Sequence, residues 1–445
     1  MSLKVGLISL GCSKNLVDSE NMLGYISKHY EITANPEDAD VIIVNTCAFI
    51  ETAKEESITT ILQMLQHKEK KCSALIVAGC MAERYTQELQ KEIPEIDALV
   101  GVNDWAGIVE VIEQAVKKNE KLLAKIYKND NKSLYNACTP RVLTTPKHFA
   151  YIKIAEGCDN ACSYCVIPSI RGAYRSRTME DICSEARDLA ETGVQEIVLI
   201  AQDVTYYGSD IYNRLALPEL LESLAKIEKI KWIRLMYLYP YSFTDTLIDD
   251  IASLPKVLNY VDIPLQHIAD GVLTNMNRQD NKESIVKLLE KIRERVPNVC
   301  IRTTFIVGFP GETEEDFQEL CDFVEMCKFD NMGVFTYSKE EDTVAGEMLE
   351  QIDEDVKQER YHRLMSIQAK ISEENNLAME GRILEVVVEG VDDSNKDTVM
   401  ARSYREAPDV DGIIFVENAG ASNVGEFIQV QIVQGFTYEL LAEKI

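Results

Sequence analysis

Nowhere in this chain do apolar residues run unbroken for the roughly 18–20 positions that span a bilayer. The opening stretch, MSLKVGLISLGC, passes at once into a strand pattern and has no cleavable signal architecture. Both absences lead to the expectation of a cytoplasmic protein that needs no membrane. Positive charge is also in short supply, with 46 Lys and Arg against 74 Asp and Glu and a net charge of −28. Such a surface repels polyanions on average and attracts cationic partners, so nucleic-acid binding would need a local basic stripe. The twelve cysteines, finally, have no common spacing that would read as a disulfide framework. In a reducing compartment they read instead as metal ligands, catalytic thiols or core filler.

What is present points to several domains. A chain of 445 residues exceeds one compact core, and 46% hydrophobic residues exclude wholesale disorder. Residues 1–120 repeat a short apolar run ending in cysteine: VGLISLGC, VIIVNTC and ALIVAGC, closing on Cys12, Cys47 and Cys80. Helix-like segments (SENMLGYISKHY, ETAKEESITTILQMLQ) lie between them, which implies a parallel sheet with helices on its faces. The carboxyl ends of parallel strands open on one edge, so three cysteines 33–35 residues apart converge there. One such thiol would be packing material. Three at equivalent strand ends favour a ligand set. Gly11 and Gly79 precede two of them, where the backbone must turn tightly. Cys72, Cys138, Cys183, Cys300, Cys321 and Cys327 share no pattern and are read as packing or surface thiols.

Residues 121–147 lose periodicity and gain Pro, Asn and Lys, which marks a linker. Residues 148–378 alternate six strand candidates, from YIKIAEG to MGVFTYS, with helices. Six βα units suit an open, partial (β/α)6 barrel of TIM type, with its site at the strand carboxyl ends. Residues 379–445 change to alternating segments (ILEVVVEGV, TVMARSY, GIIFVENA, EFIQVQIVQG) separated by turns, the pattern of a small antiparallel β-barrel of OB-like size. The whole is thus an α/β multidomain chain.

The densest signal is EGCDNACSYC, with Cys158, Cys162 and Cys165 at the end of the first strand of the middle domain. Zinc would want a fourth ligand. An iron–sulfur cubane accepts three thiolates if something else takes the fourth iron. Here the chain resembles the radical S-adenosylmethionine superfamily, in which that open iron is chelated by the amino and carboxylate groups of S-adenosylmethionine. The resemblance implies a 4Fe-4S cluster on Cys158, Cys162 and Cys165. Tyr164 matches the aromatic position beside the adenine, and GFPGETEEDF, with Gly308, resembles the glycine strand end where backbone approaches the cofactor. Without the cysteines, Gly308 and Gly311 would read as an ordinary turn. AQDV and IPLQH end two other strands and suit the ribose and methionine portions. His267 alone is more often a structural histidine and receives no role.

The order of three-cysteine α/β domain, radical barrel and terminal β-barrel resembles the methylthiotransferases along essentially the whole chain. That resemblance implies a second 4Fe-4S cluster on Cys12, Cys47 and Cys80, and a TRAM fold for the last domain. It also implies S-adenosylmethionine as both methyl donor and radical source, with an external electron donor. No catalytic residue beyond the cluster ligands is assigned. SLGCSKNLVDSE resembles the RimO-type branch, whose substrate is an aspartate of the twelfth small-subunit ribosomal protein. The alternatives are tRNA adenosine methylthiotransfer and, in a different class, a metal-stabilised RNA-binding scaffold. Charge separates them: residues 381–445 carry five basic side chains against twelve acidic ones, a net of −7. That suits a basic ribosomal protein and makes tRNA the weaker partner. Arg171, Arg175 and Arg177 form a basic run that either meets substrate or pairs with neighbouring acids.

Overall fold

A computed structural model describes residues 3–117, 125–127 and 134–445. The N-terminal sheet has six parallel strands in the order Glu31–Ile32, Lys4–Ser9, Val41–Thr46, Ala74–Gly79, Ala98–Val100 and Lys125–Tyr127. Its central strands, VIIVNT and ALIVAG, are buried throughout, as expected where helices cover both faces. Alternate residues serve the two faces. Val41, Ile43 and Ile76 pack with Val17 and Met22 of helix Ser13–Ile26 and with Val111 and Ile112 of helix Ile108–Lys117. Ile42, Val44, Leu75 and Val77 pack with Ile61 of helix Glu51–Leu65.

The stretch 121–147 departs from the expected linker. Lys125–Tyr127 pairs in register with Ala98–Val100 as the outermost strand; three residues are too few for a periodic signal to mark. Residues 121–124 and 128–133 lie outside the described residues. Farther on, Tyr135 is buried with its hydroxyl on the Lys153 carbonyl at 3.1 Å. Arg141 joins Glu20 of the first domain at 2.6 Å to Glu185 of the second at 2.7 Å. Residues 134–147 are a strap, held by charges that a composition reading takes for solvated ones.

The middle domain is the expected open barrel. Phe149–Lys153, Glu196–Ile200 and Trp232–Leu235 form one parallel sheet; Tyr260–Asp262, Cys300–Val307 and Asn331–Thr336 form another. An Ile233–Val257 bridge ties the first sheet to the segment that leads into Tyr260–Asp262. Among the described residues the first and sixth strands do not pair, so the barrel stays open between them. Helix Glu354–Leu377 closes the domain and buries Lys357, Arg360, Leu364, Gln368 and Ile371, a stripe at three- and four-residue steps.

The last five strands close into a barrel in the order Ile383–Val391, Val399–Arg402, Ile413–Glu417, Glu439–Lys444 and Phe427–Gly435. One pairing departs from the antiparallel expectation: Ile413–Glu417 and Glu439–Lys444 run parallel, because Phe427–Gly435 lies on the far side of the final strand. Segment 403–411 covers the amino ends of the central barrel strands, where Asp411 accepts from Tyr260 at 2.6 Å and Arg302 at 3.2 Å. Among the described residues, no helix is long and apolar enough to cross a membrane.

Candidate active site: two cysteine trios and the polar seam between them

Each cysteine of the first trio stands where a parallel strand gives way to the next element. Cys12 precedes helix Ser13–Ile26, Cys47 follows Val41–Thr46, and Cys80 begins the short helix Cys80–Arg84. The two glycines are sterically required. Gly11 has φ +83°, and a Cβ there would lie 2.8 Å from Cys47 Cβ and 3.2 Å from its sulfur. Gly79 has φ +91°, and its Cβ would fall 2.2 Å from Asn45 Oδ1. These turns bring the three thiols close enough to influence one another's ionisation.

Asn15, three residues past Cys12, ties the turns together. Its amide donates to the Leu10 carbonyl at 3.1 Å and the Thr46 carbonyl at 2.8 Å, while its oxygen accepts from Arg171 at 2.7 Å. Burial pushes the Cys80 thiol up to about 12 despite the nearby Arg171. Crowding also opposes ionisation of Cys12, but Lys14 and Arg171 outweigh it and hold that thiol below its usual range. Lys14 itself lies 3.3 Å from the ring centre of Tyr237, which follows the third barrel strand, so the Cys12 turn sits against the barrel mouth.

The second trio lies on the loop after the first barrel strand. Several distant segments immobilise it. Cys158 N–H donates to the Gly172 carbonyl at 3.1 Å, and Ser163 donates through its N–H to Met276 and through its hydroxyl to Asn275. Asn277 reaches the Ala161 carbonyl at 2.7 Å, and Asn160 reaches Asp203 at 3.0 Å. Burial pushes Cys158 up to about 11 and Cys165 up to about 12, with the neighbouring thiols adding to it. Such thiols shed their protons when a metal binds. Among the described residues, no three His, Cys, Asp or Glu side chains are grouped as ligands of one ion. The donors of each trio are thiols, which suits a cluster whose irons each take one thiolate.

Tyr164 is half-buried and meets Phe309 edge-on at 6.5 Å. Gly308 has φ +72°, but the space its missing side chain leaves is filled by Lys357, whose Cγ would lie 2.3 Å from a Cβ. Packing of the last helix therefore explains this glycine without a cofactor. His267 is fully buried, accepts the Ala269 N–H at 3.1 Å and is held down to about 3 by burial. That is a structural histidine.

Between the trios runs a seam of buried charge that the sequence did not disclose. Arg171 is 1% exposed; it contacts Glu156 at 2.9 Å, Asp18 at 3.2 Å and the Cys80 sulfur at 3.6 Å. Lys153 contacts both carboxylates at 2.5 Å. Arg177 pairs with Asp181 and Glu185, and Arg175 with Asn103 and the Arg171 carbonyl, so the basic run is spent on neighbours. At the far edge of the mouth Glu340, 2% exposed, takes Arg84 at 2.7 Å and Lys54 at 3.2 Å. One signal was available: helix Ser13–Ile26 buries Asn15, Asp18, Ser19 and Glu20, polar residues that a solvent-facing helix would expose.

Comparison with known proteins bears on the same three regions. Residues 4–101 match an uncharacterized protein family, UPF0004; residues 152–324 match the radical SAM superfamily; residues 381–445 match the TRAM domain. The chain is 50% identical over 440 residues to ribosomal protein uS12 methylthiotransferase RimO of Clostridium botulinum, covering 98% of this chain and 97% of that protein. The same-named protein of Desulforamulus reducens is 49% identical over 441 residues, covering 99% of each. Among solved structures, the radical S-adenosylmethionine methyltransferase TsrM of Kitasatospora setae superposes with a TM-score of 0.58 at 13% identity, over 78% of this chain and 74% of that one. That last likeness is one of fold.

Proposed function

The chain belongs to the ribosomal protein uS12 methylthiotransferase (RimO) family, and from that membership we propose that it places a methylthio group on the β-carbon of an aspartate of uS12. The superfamily implies a 4Fe-4S cluster and S-adenosylmethionine. In this reading Cys158, Cys162 and Cys165 hold that cluster, and Cys12, Cys47 and Cys80 hold a second. When bound, these groups supply a methyl donor and the one-electron chemistry needed to break an unactivated C–H bond, with electrons from an external donor.

The observation that carries the reading is the meeting of two trios at one mouth. The carboxyl edge of the first sheet faces the carboxyl ends of the barrel strands, with Lys14 on Tyr237 and Arg171 against Cys80. The chain's own residues then do three things. The six cysteines hold the clusters, Tyr164 offers its ring to the adenine, and Arg84, Lys54 and Glu340 fasten the first domain beside the barrel opening. Gly308 retains a cofactor role only through the family likeness.

Charge favours a protein substrate over tRNA. Arg402 and Arg405, two of the five basic residues of 381–445, are committed to Glu196 and Asp330 of the central barrel. Few cations of that domain remain for phosphates, and a basic ribosomal protein of the cytoplasm is the better match. The test is mass spectrometry of uS12 and of tRNA after incubation with reconstituted protein, S-adenosylmethionine, sulfide as the sulfur source and a reductant. A methylthio group on the uS12 aspartate is expected. Its appearance on tRNA alone would overturn the substrate assignment.

A further inference from the structure

The buried seam divides its charges unevenly. Arg171 and Lys153 face Asp18 and Glu156, two cations against two carboxylates, so the group is neutral before any thiolate is counted. Arg171 splits its fork between them. Nη1 serves Glu156 and Asp18, while Nη2 leaves the carboxylates and points to Asn15 Oδ1 at 2.7 Å and the Cys80 sulfur at 3.6 Å. Lys153 makes no such contact; its ammonium is occupied by the two carboxylates at 2.5 Å. The guanidinium that reaches the first trio is carried by the chain of the second. Helix Ile167–Arg171 begins two residues after Cys165 and ends on Arg171.

We infer that Arg171 is a positioning residue that fixes one trio relative to the other and delivers an N–H···S contact and a buried positive charge to the Cys12–Cys47–Cys80 site. This rests on the reading that those cysteines hold a cluster. Fe–S potentials are set by net charge, by hydrogen bonds to sulfur and by solvent exposure. Reduction adds negative charge, so a buried cation touching a ligand sulfur stabilises the reduced form and raises the potential of that cluster. The planar fork matters because one nitrogen serves Glu156 and Asp18 while the other serves Asn15 and Cys80, a fixed spread of donors that the point charge of an ammonium does not reproduce. Among the described residues the Arg171 side chain makes no hydrogen bond to Cys158, Cys162 or Cys165, so the direct N–H···S change falls on the first trio alone.

The experiment is a redox titration of both clusters, followed by electron paramagnetic resonance, in anaerobically reconstituted full-length wild type, Arg171→Gln and Arg171→Lys, with iron counted in each. In Arg171→Gln the potential of the first-domain cluster should shift to more negative values while that of the barrel cluster stays put. Arg171→Lys, which keeps charge but loses the fork, should shift the same cluster by less. Potentials unchanged in both variants, or both clusters moving together, would overturn the inference. If the glutamine variant does not fold, the lysine variant decides by the same criterion: a shift confined to the first-domain cluster supports, and no selective shift overturns. Wild type holding only about four irons would instead remove the second cluster itself, a failure distinguishable from a full iron count without a selective shift.

Discussion

Arg402 Nη2 donates to Glu196 Oε2 at 2.7 Å, joining the terminal β-barrel to the first residue of the second strand of the central barrel. Both side chains are buried, and Arg234 takes the other carboxylate oxygen at 2.8 Å. Burial disfavours the charged carboxylate, yet the two guanidinium groups outweigh it and draw Glu196 down to about 2. Glu196 is therefore the carboxylate on which two buried arginines of this junction meet, beside the Arg405–Asp330 and Arg302–Asp411 pairs.

Glu196→Gln should be strongly destabilising, because it leaves buried Arg234 without a counter-charge and Arg402 with Glu389 alone. The expected loss is about 3–5 kcal/mol, read from urea unfolding. The pH dependence follows from the depressed carboxylate. Its stabilising contribution is fully present above the ordinary value of 4.5 and is lost as pH falls toward about 2. Wild type should lose stability across that window, and the glutamine variant should show a flatter profile there. Equal slopes would mean that Glu196 is not ionised in the fold.

Iron content separates the two trios. Fully reconstituted wild type should hold about eight irons and a Cys12→Ala/Cys47→Ala/Cys80→Ala variant about four. That variant should still cleave S-adenosylmethionine reductively. Cys162→Ala should lose the cleavage and keep the other cluster. Undiminished cleavage in Cys162→Ala would refute its place in the radical site.

Asn15→Ala removes the partner shared by Leu10, Thr46 and Arg171. Unmade buried hydrogen bonds of this kind cost about 1–3 kcal/mol. The first-domain cluster should load poorly while reductive cleavage of S-adenosylmethionine persists, as checked by iron analysis beside deoxyadenosine formation. Full loading would show that the cysteine turns hold themselves without Asn15.

Gly308→Ala tests whether that glycine serves packing or cofactor. The positive φ and the Lys357 stem 2.3 Å from the new Cβ should lower the melting temperature. Affinity for S-adenosylmethionine in the folded fraction should change little. A large affinity loss without a thermal shift would establish the cofactor role.

The elements were largely legible because periodicity is a local property. ILEVVVEGV is the strand Ile383–Val391 residue for residue, and NKESIVKLLEKIRERV contains helix Lys282–Arg295 behind an Asn281 capping box. Lys125–Tyr127 was not legible, since three residues show no period. Gly308 was ambiguous for another reason. A glycine-bearing strand end looks the same whether a cofactor or a lysine stem from a distant helix lies over it.

The basic run Arg171, Arg175 and Arg177 shows where such reading stops. Its charges were plain, and its partners were not. Arg171 finds Cys80 91 residues away and Asp18 153 residues away, and Arg84 finds Glu340 256 residues away. No spacing rule links such pairs.

By itself the sequence determined which cysteines can come together. Cys158, Cys162 and Cys165 lie within eight positions, a separation that one loop spans, and Cys12, Cys47 and Cys80 are brought to one edge by the parallel order of their strands. The tertiary structure alone decided which charges are free and which are consumed. Arg171, Arg402 and Arg405 leave the surface because carboxylates from other domains, Asp18, Glu196 and Asp330, meet them there, and a buried ion pair exists only when both partners arrive.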